Sequence, residues 1–73
     1  MPKLRVMSGR ETCDILARYG FIEVRQRGSH IIMQKQLNNG TITVPVPNHM
    51  EIRIGTLQSI IRQSGIPKSE FEV

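Results

Sequence analysis

The chain has 73 residues, enough for one domain, and a domain of that size buries only roughly 60% of the surface its unfolded chain exposes. Ten Lys and Arg against six Asp and Glu give a formal net charge of +4 and a sequence pI near 10.0, a balance that favours a polyanionic partner, nucleic acid first. No stretch approaches the roughly 20 apolar residues that cross a bilayer, the N-terminus lacks the apolar run of a signal peptide, and the single Cys13 cannot close an internal disulfide, so we expect a soluble protein of the reducing cytoplasm.

Residues 1–7 alternate Lys3 and Arg5 with Leu4 and Val6 and predict an extended, partly disordered lead-in. Ser8-Gly9-Arg10-Glu11 fits a capping box, in which the Ser8 hydroxyl accepts from the Glu11 backbone and the Glu11 carboxylate reaches back to Ser8. A helix over residues 9–19 follows. Its buried face is predicted at Cys13, Leu16 and Ala17, flanked by Ile15 and Tyr19, with Gly20 as the left-handed stop.

Residues 21–27 and 29–36 are rich in β-branched and apolar side chains on either side of Gly28 and read as a hairpin. With Arg27 and Gly28 as a two-residue turn, Gln26 pairs with Ser29, Arg25 faces His30, Val24 faces Ile31 and Ile22 faces Met33. Asn39-Gly40 is a strong hairpin signal that joins a third strand over residues 41–46, placing Leu37 beside Ile42 and Met33 beside Val46. The predicted core face is Ile22, Val24, Ile31, Met33, Leu37, Ile42, Val44 and Val46. Pro45 and Pro47 cannot donate ladder hydrogen bonds, which makes the third strand an edge that is ending. After a loop over residues 48–53, Leu57, Ile60, Ile61 and Ser64 recur at helical spacing from a start near Gly55 or Thr56, with Gly65 and Pro67 as the stop. A last turn over residues 68–71 lays Phe71 on the body. The order is helix, three antiparallel strands, helix: a two-layer α+β sandwich with both helices on one sheet face.

The opposite face is predicted to collect Arg25, His30, Gln34, Gln36 and Thr43, with Glu23, Phe21 and Ile32 among them. An imidazole beside a guanidinium suits a phosphodiester, since arginine holds the phosphate while histidine moves a proton. The same residues also fit an ordinary solvated face with a bystander histidine. His49, in the loop after the third strand, is either a loop residue bonded locally or a second acid, base or phosphate contact. Neither histidine has further Cys or carboxylate ligands at convincing spacing, so no metal and no cofactor are expected. Ser29 is no nucleophile by adjacency to His30, because neighbouring strand residues point to opposite faces.

Several segments together resemble the HicA family of toxins from bacterial toxin-antitoxin systems. They are Tyr19-Gly20-Phe21, Arg27-Gly28-Ser29-His30, Val44-Pro45-Val46-Pro47-Asn48-His49, Gly55-Thr56-Leu57, Ile60-Ile61-Arg62-Gln63 and Gly65-Ile66 followed by Phe71. The resemblance runs nearly end to end and implies a fold like a double-stranded-RNA-binding domain. It also implies an mRNA-cleaving toxin, independent of the ribosome, held inactive by a HicB antitoxin. The family's catalytic histidine falls on His30 in its Gly-Ser-His motif. Arg25, Arg27, Gly28, Ser29, Lys35 and His49 are the candidate RNA contacts. Ser64 stands where a small apolar residue is expected, which bears on packing only. Two other classes fit the residues: a non-catalytic RNA- or DNA-binding module, and an interaction domain that docks a protein on Phe21 and Ile32.

Overall fold

The computed structural model describes residues 3–73; of the expected lead-in, Met1 and Pro2 lie outside them. Helix α1 spans Gly9–Arg18, strands β1, β2 and β3 span Ile22–Arg27, His30–Leu37 and Gly40–Pro47, helix α2 spans Ile54–Ser64, and a 3-10 turn covers Lys68–Phe71. The strands form one antiparallel sheet in the order β1-β2-β3, which gives the expected α-β-β-β-α order.

Local chemistry sets the helix ends. The Ser8 hydroxyl accepts from the Glu11 N–H at 3.1 Å and the Glu11 carboxylate accepts from the Ser8 N–H at 2.8 Å, so two of the helix's orphan donors are satisfied at once. The buried face of α1 is Gly9, Thr12, Cys13, Ile15 and Leu16, whereas Ala17 is exposed. Thr12 can take a core position because its hydroxyl donates to the Ser8 carbonyl at 2.9 Å, leaving its methyl to pack. Gly65 ends α2 at φ 71°, a left-handed stop. Ser64 does more than pack, since its buried hydroxyl donates to the Ile61 carbonyl at 3.1 Å and accepts from the Ile66 N–H at 3.3 Å.

Both hairpin turns sit one residue away from the expected place. Arg27 pairs with His30, so the first turn is Gly28-Ser29, and Leu37 pairs with Gly40, so the second is Asn38-Asn39. Gly28 has φ 57° and, among the described residues, no other residue type has positive φ, which is the pattern of a type II′ turn with glycine at its first central position. The register also breaks between Glu23 and Arg25, where a bulge at Val24 moves Ile22 opposite Gln34. Ile22 and Val24 therefore leave the predicted core and are exposed, as is Leu37 at the tip of the second hairpin.

The apolar face that remains is Ile31, Met33, Val44 and Val46, with Ile42 partly buried beside it. Ile15 and Leu16 of α1 and Leu57 and Ile60 of α2 join the same core, together with Phe21 and Phe71. Phe21 belongs to this core rather than to the open face, because it precedes β1 in the turn after Gly20. Residues 3–7 form an extended segment rather than a disordered one. The Arg5 N–H donates to the Phe71 carbonyl at 2.7 Å, the Val73 N–H donates to the Lys3 carbonyl at 2.9 Å, and Met7 is buried.

Candidate nucleic-acid interface

Directly opposed residues of an antiparallel pair share a face, and side chains alternate along a strand. The buried Ile31 and Met33 mark the helix-bearing face, so His30, Ile32, Gln34 and Gln36 of β2 project to the other side. Their partners across β3 are Pro47, Pro45, Thr43 and Thr41, and across β1 Arg27, Arg25 and Ile22 stand opposite His30, Ile32 and Gln34. Among the described residues no helix covers this side.

Three rows across the sheet result. The first is Arg27, His30 and Pro47, the second Arg25, Ile32 and Pro45, and the third Ile22, Gln34 and Thr43. His30, Arg25 and Arg27 are exposed. Ile32, paired with Arg25 on one side and Pro45 on the other, is only 8% exposed although no helix packs on it. In the third row Gln34 donates to the Thr43 hydroxyl at 3.3 Å, and the row carries no charge.

Arg27, expected in the turn, is the residue directly opposite His30, while Arg25 is displaced to the next row. The reason is the turn: glycine at the first rather than the second central position moves each partner by two residues and keeps Arg25 on the same face. Arg27 and His30 close the two-residue turn, so their Cα atoms are about 5.5 Å apart. The preference of such turns for glycine at their first position was the signal that could have located this pair.

Carboxylates are kept off the open face. None of the six carboxylates, at Glu11, Asp14, Glu23, Glu51, Glu70 and Glu72, occupies an open-face strand position. Glu23 stands opposite Met33 on the helix side and accepts from Arg10 of α1 at 3.1 Å, which removes it from the open face where it was expected. An exposed pair of this kind contributes little to stability. Its effect here is to leave Arg25 and Arg27 without a carboxylate on their own face.

Gly28 and Ser29 form the turn at the end of the first row. The Ser29 carbonyl accepts from the Asn48 N–H at 2.6 Å, which extends the β2-β3 ladder one step past Pro47. His49 follows at once; its side chain is exposed and its carbonyl accepts from the Gly9 N–H at 2.9 Å. It is thus near the first row through its backbone. Lys35 is not brought to His30. It stands opposite Ile42 on the helix side, and its ammonium lies 6.0 Å from the centre of the Phe21 ring.

Among the described residues no three His, Cys, Asp or Glu side chains come together, and no helix is long and apolar enough to cross a membrane. Cys13 is buried on α1, and its loss of hydration pushes the thiol up to about 11.

A protein-family model described as the HicA toxin of bacterial toxin-antitoxin systems matches residues 9–66, from the first residue of α1 to just past the stop of α2. The match covers well over half of the chain and includes all three open-face rows. No curated protein matches the chain.

Proposed function

The chain belongs to the HicA toxins of bacterial toxin-antitoxin systems, and from that membership we propose that it is a metal-independent endoribonuclease, cutting mRNA without the ribosome, with His30 as its catalytic residue. The observation that carries this reading is the pairing of exposed His30 with Arg27 on a face without carboxylates.

RNA brings its own nucleophile. The 2′-oxygen attacks the adjacent phosphorus, the bond from phosphorus to the 5′-oxygen breaks, and a cyclic phosphate stays on the upstream fragment. The proton lost from the 2′-hydroxyl is balanced by one delivered to the departing 5′-oxygen. His30 serves one of these two transfers at a time, a contribution of about 10² to 10⁴-fold for a placed acid or base. Arg27 faces the charge that builds on the pentacoordinate phosphorus, and Arg25 holds the next phosphate.

A toxin of this class has an antitoxin partner. We place a HicB-type antitoxin over the same face, where an acidic surface would neutralise Arg25, Arg27 and His30 together. Gel filtration with the product of a neighbouring small gene tests that step.

The deciding experiment is RNA cleavage by the wild type and by a folded His30→Ala variant in excess EDTA. The wild type should cut and the variant should not. Equal cleavage by both removes His30 from the mechanism, and dependence on added metal overturns the metal-free reading.

A further inference from the structure

The two prolines of β3 do more than end a strand. The Asn48 N–H donates to the Ser29 carbonyl, so residues 29 and 48 are a hydrogen-bonded pair. By alternation, His30 with Pro47 and Ile32 with Pro45 are non-hydrogen-bonded pairs. In such pairs the Cα atoms approach to about 4.5 Å and the side chains are closest. The Pro47 ring is therefore held against His30 and the Pro45 ring against Ile32, forming an apolar rib beside the imidazole.

Each of the first two rows runs from a cation on β1, across β2, to a proline on β3. The row is two inter-strand spacings wide, about 9.6 Å, a span that one ribose and its base can cross. Successive rows are two residues apart along β2, about 6.6 Å, comparable with one extended nucleotide step. The third row, Ile22, Gln34 and Thr43, has no cation. Positive charge thus extends for two phosphates and stops.

We propose that Pro45 and Pro47 form a rib on which the bases of single-stranded RNA rest while Arg25 and Arg27 hold two successive phosphates. This rests on the RNA-cleaving reading above and specifies its substrate: an unpaired dinucleotide step rather than a duplex. With a phosphate at Arg27 and a base on Pro47, the intervening ribose lies over His30, which brings a 2′-hydroxyl to the imidazole. A duplex turns its bases inward and leaves the rib nothing to touch. The chain's three aromatic residues are elsewhere, Phe21 and Phe71 in the core and Tyr19 bonded to Glu70 at 2.8 Å. With the His30 imidazole given to proton transfer, base contact on the rib is aliphatic, weaker than stacking on an aromatic ring and tolerant of base identity. Pro45 and Pro47 are positioning residues.

The test is affinity for a non-cleavable 2′-fluoro oligonucleotide without secondary structure, its abasic counterpart of equal phosphate count, and the corresponding blunt duplex. The wild type should bind the unpaired strand about fivefold more tightly than the abasic strand, the low end of the range for a base on a protein side chain. The duplex should bind no better than the abasic strand. Pro45→Ala with Pro47→Ala should abolish the preference for bases and leave abasic affinity unchanged. Equal affinity for the base-bearing and abasic strands, or tighter binding of the duplex, overturns the rib and leaves the RNA reading standing. Failure to bind any of the three, with RNA left uncut, overturns both. The wild-type comparison needs no variant, so a misfolded proline mutant cannot obscure the result.

Discussion

The Gly9 N–H donates to the carbonyl oxygen of His49 at 2.9 Å, tying the first residue of α1 to the loop that leaves β3. The helix and loop approach so closely that a Cβ on Gly9 would overlap the Pro47 carbonyl oxygen. That oxygen is backbone and has little room to yield. Gly9→Ala should therefore destabilise the fold by about 1–3 kcal/mol, the usual cost of overpacking. Thermal unfolding should show a melting temperature lower by about 4–8 °C for each kcal/mol lost. An unchanged melting temperature would mean that the two segments can part without cost.

Arg27 and Arg25 should separate by row. Arg27→Ala is expected to lower single-turnover RNA cleavage about 10²-fold, the scale of removing one donor to a developing oxyanion. Arg25→Ala should act mainly by raising KM, because it holds a neighbouring phosphate. A larger loss of the chemical rate from Arg25→Ala would return Arg25 to the place beside His30 that the sequence first suggests.

Lys35 offers a contrast between the two sheet faces. Lys35→Ala should cost stability, about 0.5–1 kcal/mol if the ammonium above the Phe21 ring makes its full contribution, with the loss read in urea unfolding rather than in RNA cleavage. A selective loss of cleavage with stability intact would place Lys35 in the RNA path after all.

At acid pH the capping box should open. Hydrogen bonding from the Ser8 backbone, then from its side chain, holds the Glu11 carboxyl below its usual range. A lowered carboxyl stabilises the fold above its unfolded pKa, and that contribution is lost as pH falls through the folded value. Glu11→Gln should accordingly flatten the acid limb of a stability-pH curve measured by urea unfolding. Ser8→Ala should weaken the helix start at neutral pH by about 1 kcal/mol.

At alkaline pH the sign reverses. Burial raises the Cys13 thiol to about 11, so the unfolded chain, with a thiol near about 8.5, releases its proton first. Stability is full below that unfolded value and falls as pH rises through about 11. Tyr19 adds a second loss above about pH 10, because its hydrogen bond to Glu70, followed by burial, raises its phenol. Cys13→Ala should remove the earlier part of the alkaline decline, and an identical decline in the variant would rule the thiol out as its cause.

What could be read from the sequence was what neighbouring residues decide among themselves. The Ser8-Glu11 box and the Gly65 stop are contacts within a few residues, and both stand where expected. Placing His30 and Arg25 on one face needed only strand alternation. The turn was harder, since a glycine with positive φ can occupy either central position of a two-residue loop, and that choice decides whether Arg25 or Arg27 faces His30. The bulge at Val24 left no local mark. It shows only in the pairing with β2, where it moves Ile22 across the sheet and leaves Glu23 on the side of Arg10. Thr12 was passed over because a hydroxyl looks polar until its partner, the Ser8 carbonyl, is in place.

The alternation that sets Pro45 and Pro47 against β2 also turns their nitrogens toward the outer edge of the sheet. An edge strand ordinarily offers a row of donors to any stray strand, but this one is missing two in succession. Another copy of the chain cannot zip onto β3 along that stretch, and the bulge at Val24 twists the opposite border away from a flat match. The two outer margins are thus protected by different means, so a sheet left bare on one side can stay accessible to solvent without polymerising into stacked strands.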